Sequence, residues 1–197
     1  MAISNTRLRY GAVAMTLHWL IAAAILFNLC LGLYVADILT DQDPGRFGLI
    51  QLHKSVGLTV LVLSLARLGW RLVNPVPPLP DTLTPALKVV ARGTHYLLYF
   101  LIIAIPLAGW ALVSSSPLGL PTPYFGLFHW PNIPFFADLT RAQKAPLRHE
   151  FFALHMYLAF SAIALIALHV AGAVYHQMHR DDVLRRMLPG TRVAGQT

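Results

Sequence analysis

The chain has 197 residues, of which 56% are hydrophobic and 12% are charged, about half the charged share of a typical soluble domain. A soluble core of this length cannot bury so much apolar surface, so the composition favours a membrane protein. The net charge of +7 does not indicate a nucleic-acid-binding protein, because the basic residues lie between apolar runs and do not form one stripe. A single cysteine, Cys30, excludes a disulfide framework and a cysteine-ligated metal site within one chain.

Four apolar runs are long enough to cross about 30 Å of hydrocarbon, which takes about 20 helical residues. Each run must be helical, because unpaired backbone groups are unfavourable in lipid. The sequence therefore predicts an all-α fold, a transmembrane four-helix bundle that forms a single membrane domain over residues 1–197. The predicted spans, in chain order, are residues 12–35, 49–73, 92–113 and 152–177.

The connections between these spans predict how the chain lies in the membrane. Lysine and arginine accumulate near the cytoplasmic ends of helices. Five lie beside the first and third connections: Arg46, Lys54, Arg141, Lys144 and Arg148. Ten lie beside the termini and the second connection: Arg7, Arg9, Arg67, Arg71, Lys88, Arg92, Arg180, Arg185, Arg186 and Arg192. Both termini are therefore predicted to be cytoplasmic. The third connection, residues 114–151, is long enough to be functional or to carry a short helix.

Histidines within the apolar runs are the strongest functional feature, because ionisable residues are rare there and usually functional. His155 and His169 are 14 residues apart, just under four helical turns, so they lie on nearly the same face and about 21 Å apart along the axis. Two histidines at two depths can serve two cofactors, each of which requires a partner at its own depth. His53 matches His155 on the outer side, and His18 matches His169 on the inner side.

Haem is the cofactor that best suits such pairs. An iron held by two imidazoles has no open position, which suits electron transfer. Neutral imidazole is the ligating form, and its second nitrogen requires an acceptor such as a helix carbonyl. A lone intramembrane histidine is often an interhelical hydrogen-bond donor, but four that pair by depth favour ligation. A histidine-based metal or proton transporter is a further alternative, although such proteins usually add carboxylates or thiols near the midplane, and no predicted span contains Asp or Glu.

Cationic residues near the histidines are candidate partners for haem propionates. Arg67 and Arg71 lie one turn apart at the predicted inner end of the second helix, and guanidinium geometry matches carboxylates well. The alternative is that they only determine topology. Lys54 and Arg148 have the same two interpretations on the outer side.

Two further histidines are candidates for a quinone site. His95 lies at the cytoplasmic depth and is assigned a structural or quinone-binding role in preference to ligation. His176 follows His169 by seven residues on the same face, and it either lines a quinone pocket or reaches the membrane interface. Gly57 and Gly172, each about one turn after a predicted ligand, either leave room for a flat macrocycle or are simply small residues of membrane helices.

The order of these residues resembles the bacterial cytochrome b561 family from about Tyr10 to Gly190, nearly the whole chain. The matching stretches are Leu-His18-Trp-Leu, His53-Lys-Ser-Val-Gly57, Arg67-Leu-Gly-Trp-Arg71 with the prolines that follow it, His95-Tyr-Leu-Leu-Tyr, His155 with His169, and Asp181-Asp-Val-Leu-Arg-Arg-Met-Leu-Pro-Gly190. Each stretch alone is weak evidence for the family, but all of them together, in this order, are specific to it.

The resemblance implies a di-haem cytochrome of the bacterial inner membrane with two haem b groups, in which His18 and His169 bind the inner haem and His53 and His155 the outer one. These are the pairs that the depths predict. Some family members look like superoxide oxidases, which take electrons from superoxide outside and pass them to ubiquinone near the inner haem. Others are expected to accept electrons from a periplasmic redox partner. The sequence leaves the donor open, and it leaves a homodimer open as well.

Overall fold

The computed structural model describes residues 2–80, 83–179 and 183–191. Part of the predicted charge pattern and of the C-terminal motif lies outside the described residues, namely Arg180, Asp181, Asp182 and Arg192. The statements below refer to the described residues.

Four long helices dominate the structure. They are α1 (Ala12–Leu33), α2 (Arg46–Val73), α3 (Pro85–Ser114) and α4 (Arg141–Met178). A π-helical turn, Tyr34–Ile38, continues α1. By length and composition, all four are able to cross a membrane. The predicted all-α transmembrane four-helix fold is therefore confirmed.

Three of the helices, α2, α3 and α4, begin earlier than the apolar spans predicted, and capping residues define the start of two of them. The largest difference is in α4, which begins at Arg141 and not at 152. Thr140 and Gln143 form a capping box, in which each side chain accepts a hydrogen bond from the backbone N–H of the other, at 2.9 and 3.4 Å. At the start of α3, Thr84 caps the helix through the Leu87 N–H, and proline occupies the first helical position.

The third connection carries a β-hairpin, which the sequence did not predict. Strand β1 (Thr122–Tyr124) pairs antiparallel with β2 (Phe128–Trp130), and Pro123 lies opposite His129. Phe125 and Gly126 turn the chain at φ values of +49° and +75°. A single 3₁₀ turn follows at Pro134–Phe136, so the short helix that a connection of this length favours is only one turn long.

Contacts within the chain fall into two compact units, and each long helix contributes to both. The first unit comprises Met1–Ile21, Leu63–Phe100 and Ala162–Thr197, and the second comprises Ala22–Val62 and Leu101–Ser161. A single membrane domain over residues 1–197 stays a prediction. In the first unit, the Arg9 guanidinium donates hydrogen bonds of 2.8 Å to the carbonyls of Leu188 and Thr191, which ties the two terminal segments together.

In the second unit, the hairpin is held on α2 by two hydroxyl side chains. The buried Ser55 hydroxyl accepts a hydrogen bond from the Phe125 N–H at 3.1 Å, and it lies 3.1 Å from the Pro123 carbonyl. One turn further along α2, the Thr59 hydroxyl lies 3.0 Å from the Tyr124 hydroxyl. These bonds position the hairpin against the helix that carries His53.

Candidate functional site

His53 and His155 face each other in the second unit. Their ring centres are 6.1 Å apart, and the ring planes meet at 85°. Two imidazoles on opposite sides of one metal ion, with metal–nitrogen bonds of about 2 Å and ring centres about 1 Å behind the nitrogens, have ring centres about 6 Å apart. The observed spacing therefore fits two ligands of one ion.

The hydrogen bonds of these two rings leave the other ring nitrogens available for a metal. The Nδ1 atom of His53 lies 3.2 Å from the Asn28 carbonyl on α1, and that of His155 lies 3.0 Å from the Ile105 carbonyl on α3. A carbonyl only accepts, so in a neutral ring Nδ1 carries the proton and Nε2 keeps its lone pair. This is the arrangement that metal-bound histidines usually have.

Each of these rings lies against a glycine one turn after its carbonyl acceptor. A Cβ atom at Gly32 on α1 would lie 2.9 Å from Cε1 of His53, and one at Gly109 on α3 would lie 3.2 Å from Cε1 of His155. Any larger residue would therefore displace the ring or the helix. The His53–His155 pair is thus positioned by a carbonyl and a glycine on each of two neighbouring helices.

The glycines that the sequence singled out have other surroundings. A Cβ atom at Gly57 would meet the Asn28 side chain at 3.4 Å, and one at Gly172 would meet nothing within 4 Å. Sequence reasoning missed Gly32 and Gly109, because their role depends on which way α1 and α3 are turned about their axes. In both cases the glycine lies four residues after the residue whose carbonyl faces the histidine: Gly32 follows Asn28, and Gly109 follows Ile105.

The second pair, His18 and His169, lies in the first unit. Their ring centres are 6.4 Å apart and their planes meet at 78°, so this pair also has the spacing of two ligands of one ion. His95 lies closer to His169, at 5.3 Å between ring centres, with its Nδ1 2.6 Å from the Ala91 carbonyl of its own helix. That distance is shorter than the about 6 Å expected between two rings across one metal, so His95 contacts His169 without having the spacing of a second ligand.

The donor set fits haem. No group of three or more histidine, cysteine, aspartate or glutamate side chains could hold a metal ion anywhere in the described ranges. A pair of imidazoles is sufficient for a haem iron, because the porphyrin supplies the other four nitrogens. The two pairs have that composition and that spacing.

Arg67 and Arg71 come together over one tyrosine ring, and Arg67 contacts the His18–His169 pair. The Arg67 guanidinium donates a hydrogen bond of 2.7 Å to Nδ1 of His18 and another of 3.0 Å to the Tyr99 hydroxyl. Both guanidinium groups lie over the Tyr99 ring, at 5.4 and 5.1 Å from its centre. No carboxylate in the described part of the chain forms an ion pair with either arginine.

A narrow cleft in the first unit is lined by hydrogen-bond donors and aromatic rings. Arg67, Arg71, Tyr99, Tyr10 and Trp70 all contribute to it. The Trp70 indole N–H is buried and has no hydrogen-bond partner among the residues that the structure describes. Burial raises the pKa of Tyr10, although the nearby Arg71 guanidinium opposes the shift, so the phenol stays protonated at neutral pH. The cleft therefore offers several donors to an anion.

The remaining predicted residues lie at the ends of the helices. His176 lies near the end of α4, with its ring 5.5 Å from that of Tyr175. Lys54 is half-buried on α2, directly after His53, and Arg148 is exposed on α4. Arg148 precedes His155 by seven residues, so the two lie near the same face of one helix.

Comparison with known proteins identifies a family. The model of prokaryotic cytochrome b561 matches residues 9–190. Cytochrome b561 homolog 2 of Escherichia coli strain K12 is 34% identical over 190 residues, which cover 95% of each chain. Cytochrome b562 of Cereibacter sphaeroides is 34% identical over 186 residues, 91% of this chain and 94% of the relative. Probable superoxide oxidase CybB of Yersinia pestis is 27% identical over 189 residues, 93% of this chain and 98% of the relative.

The matched residues contain all four long helices and both histidine pairs. A match of this extent confirms the resemblance and favours a cytochrome over a histidine-based transporter. The chain therefore belongs to the prokaryotic cytochrome b561 family, and it is a bacterial membrane cytochrome that binds haem b and takes part in electron transfer.

Proposed function

We propose that this cytochrome binds two haem b groups, an outer one between His53 and His155 and an inner one between His18 and His169. When bound, each haem supplies a one-electron redox centre. The observation that carries the proposal is the pair of ring-centre distances, 6.1 and 6.4 Å, each of which suits two axial ligands. The role of the protein is to hold these imidazoles in place and to exclude water from them.

The cationic residues complete the two sites. Arg67 and Arg71 are assigned to the propionates of the inner haem, because they share one cleft and have no described carboxylate partner. Lys54 is assigned to the outer haem, because it follows His53 directly and is half-buried. Arg148 is assigned there too, because it shares the face of His155.

The number of haems is tested by a dithionite-reduced optical spectrum with haem counted per chain. We expect two haems in the unchanged protein and one in each of the variants His155→Ala and His169→Ala, because each loses one axial ligand. His149→Ala is the matched control, since His149 is an exposed histidine of the same helix, and it should keep two. A His155→Ala protein that still holds two haems would refute the outer site.

We further propose that the protein oxidises superoxide on the periplasmic side and reduces ubiquinone on the cytoplasmic side. A relative that is 27% identical to this chain over 98% of its own length is named a probable superoxide oxidase. In this chain, Arg141, Lys144 and Arg148 precede His155 by 14, 11 and 7 residues in one helix, so all three lie near its face. Cations on the N-terminal part of the helix that carries His155 would attract an anion towards that end of the protein.

Superoxide-driven reduction of ubiquinone by the purified protein tests this activity. The charge reversal Lys144→Glu with Arg148→Glu should lower kcat/KM about tenfold or more at low salt and weaken its salt dependence, because steering of an anion depends on local charge. Arg7→Glu, an exposed residue of the first unit, should leave the rate unchanged. Turnover no faster than the uncatalysed reaction would exclude superoxide as the donor.

The quinone is assigned to the side of the inner pair, where His95 contacts His169. His176, on the same face of α4 two turns further along, is assigned to the same site. In the superoxide assay, His95→Gln should raise the KM for ubiquinone and leave the haem count at two. An unchanged KM would remove His95 from the quinone site.

An electron-relay subunit that accepts electrons from a periplasmic redox protein is the second candidate. The observation that favours it is the hairpin, whose Leu127 and Phe128 side chains are 79% and 51% exposed. Exposed apolar side chains on an outer loop are typical of a docking surface. A protein crosslinked through residue 127, together with absence of superoxide turnover, would favour this function.

A further inference from the structure

The inner histidine His18 differs from the outer ligands in the position of its ring proton. Arg67 donates a hydrogen bond to His18 Nδ1 at 2.7 Å, and a guanidinium has no acceptor and stays charged. Nδ1 of His18 must therefore accept, and a neutral ring then carries its proton on Nε2. A protonated nitrogen has no lone pair for iron, so His18 in this arrangement is not ready to ligate.

We propose that Arg67 gates the inner site: it holds His18 in the non-ligating tautomer until a carboxylate of the haem takes over the guanidinium. This rests on the proposed function, in which His18 and His169 hold a haem. With Arg67 on the carboxylate, the one ring proton would move from Nε2 to Nδ1 by exchange with solvent, and the lone pair of Nε2 would then be free to hold the iron. The imidazole stays neutral throughout, and no net charge is produced.

The surroundings of Arg67 favour a carboxylate as the group that draws it away. Arg67 and Arg71 lie over the same Tyr99 ring, and neither has a carboxylate partner in the described part of the chain. The same cleft contains the unpaired indole N–H of Trp70. Two cations and a free donor in a half-buried cleft suit an anion with several acceptor atoms. A haem propionate and a lipid phosphate both have this chemistry, and the experiment below separates them.

Because of this gate, the inner site requires the propionate side chains of the haem, whereas the outer site does not. His53 and His155 already donate Nδ1–H to backbone carbonyls, so no residue has to leave them before iron binds. At the inner site, a haem without free carboxylates leaves Arg67 on His18. The inner site is therefore selective for haem with ionised propionates, and Arg67 determines that selectivity.

The test compares haem b with its dimethyl ester, which lacks both carboxylates. The full-length chain is prepared without haem in detergent, in a His155→Ala background that retains only the inner pair, and binding is followed by the appearance of a low-spin spectrum. The ester should bind about ten- to a hundredfold more weakly than haem b, since a hydrogen bond of a charged group must be given up without replacement. Adding Arg67→Met should remove most of this difference.

Arg71→Met is the matched control for Arg67→Met. Arg71 lies in the same cleft and over the same ring, but the structure gives it no hydrogen bond to His18. Arg71→Met should leave ester binding weak. Equal binding of haem b and its ester would overturn the gate, as would equal rescue by both variants. A lipid phosphate as the partner of Arg67 predicts equal binding. If haem b itself fails to bind the His155→Ala protein, the inner haem site is refuted, and not only the gate.

A measurement on the holoprotein does not depend on removing haem. With haem labelled by carbon-13 in its propionate carboxyls, the infrared carboxylate bands should shift in Arg67→Met and stay unchanged in Arg7→Met. Bands that do not respond to Arg67→Met would contradict the proposed exchange of partners.

Discussion

At the scale of single residues, His53 and His155 are positioned by the same arrangement of a backbone carbonyl and a glycine. The ring of His53 rests between the Asn28 carbonyl and Gly32, and that of His155 rests between the Ile105 carbonyl and Gly109. In each case the acceptor and the glycine are one turn apart on a neighbouring helix. The carbonyl sets the ring proton, and the glycine allows the ring to approach closely.

Gly32→Ala should displace the His53 ring, because the added methyl group would lie 2.9 Å from Cε1. Loss of such a supporting contact weakens metal-site binding by about ten- to a hundredfold. Titration of haem into a His169→Ala chain, which retains only the outer pair, measures this effect. The EPR anisotropy of the bound haem, which depends on the 85° angle between the imidazole planes, should change with it.

Gly69→Ala is the control, because its methyl group would meet nothing within 4 Å. Gly109→Ala should have a smaller effect than Gly32→Ala, since its closest contact is 3.2 Å. Outer-haem affinity that is the same in Gly32→Ala and Gly69→Ala would show that the ring does not depend on this glycine.

The sequence predicted which histidines pair, but it did not predict which residues support their rings. The depths of His18, His53, His155 and His169 follow from their positions within apolar runs, so the observed proximity of each pair could be predicted. The contact between Arg67 and His18 could not, because it depends on helix rotation and on side-chain rotamers. Their roles as haem ligands stay predictions until haem is counted.

At the scale of elements, apolar runs predicted the existence and order of the four helices and the start of α1 at Ala12, but not where α2, α3 and α4 begin. Hydropathy indicates which part of a helix suits lipid, whereas capping residues indicate where the helical hydrogen bonds of the backbone begin. The Thr-Arg-Ala-Gln stretch at the start of α4 and the Thr-Pro stretch at the start of α3 are capping patterns that could have placed both starts. The hairpin was harder to predict, because strands of three residues have too little periodicity.

The hairpin depends on the Ser55 hydroxyl. Ser55→Ala should leave the Phe125 N–H without its partner, which removes a hydrogen bond worth about 0.5–1.5 kcal/mol to the local structure. Faster hydrogen exchange of the Phe125 amide, with two haems retained, is the expected result. Ser161→Ala is the control, since Ser161 is exposed and bonds only to a carbonyl of its own helix. Exchange at Phe125 that is unaffected by Ser55→Ala would exclude this anchoring role.

At the scale of the whole molecule, each compact unit contains one histidine pair. His18 and His169 lie in the first unit, and His53 and His155 lie in the second. The division falls within the long helices, so a reading of apolar spans alone could not predict it. The sequence did predict that each of the two depths in the membrane requires its own pair of histidines.

The orientation in the membrane stays a prediction, and single cysteines test it. In a Cys30→Ser background, which removes the exposed native thiol, Leu127→Cys should react with a membrane-impermeant reagent added to the periplasmic side. Arg7→Cys should react only after the membrane is opened, because the N-terminus is predicted to be cytoplasmic. The reverse pattern would invert the topology.

The backbone acceptors of the outer histidines have a consequence for sequence divergence. A main-chain carbonyl persists whatever side chain the residue bears, so Asn28 and Ile105 can drift without removing the acceptors. The partner of His18 is a side chain, and a single codon change at Arg67 abolishes it. Homologues that diverge in cofactor chemistry are therefore expected to do so first at the His18–His169 pair, where one substitution alters the environment of a proposed ligand.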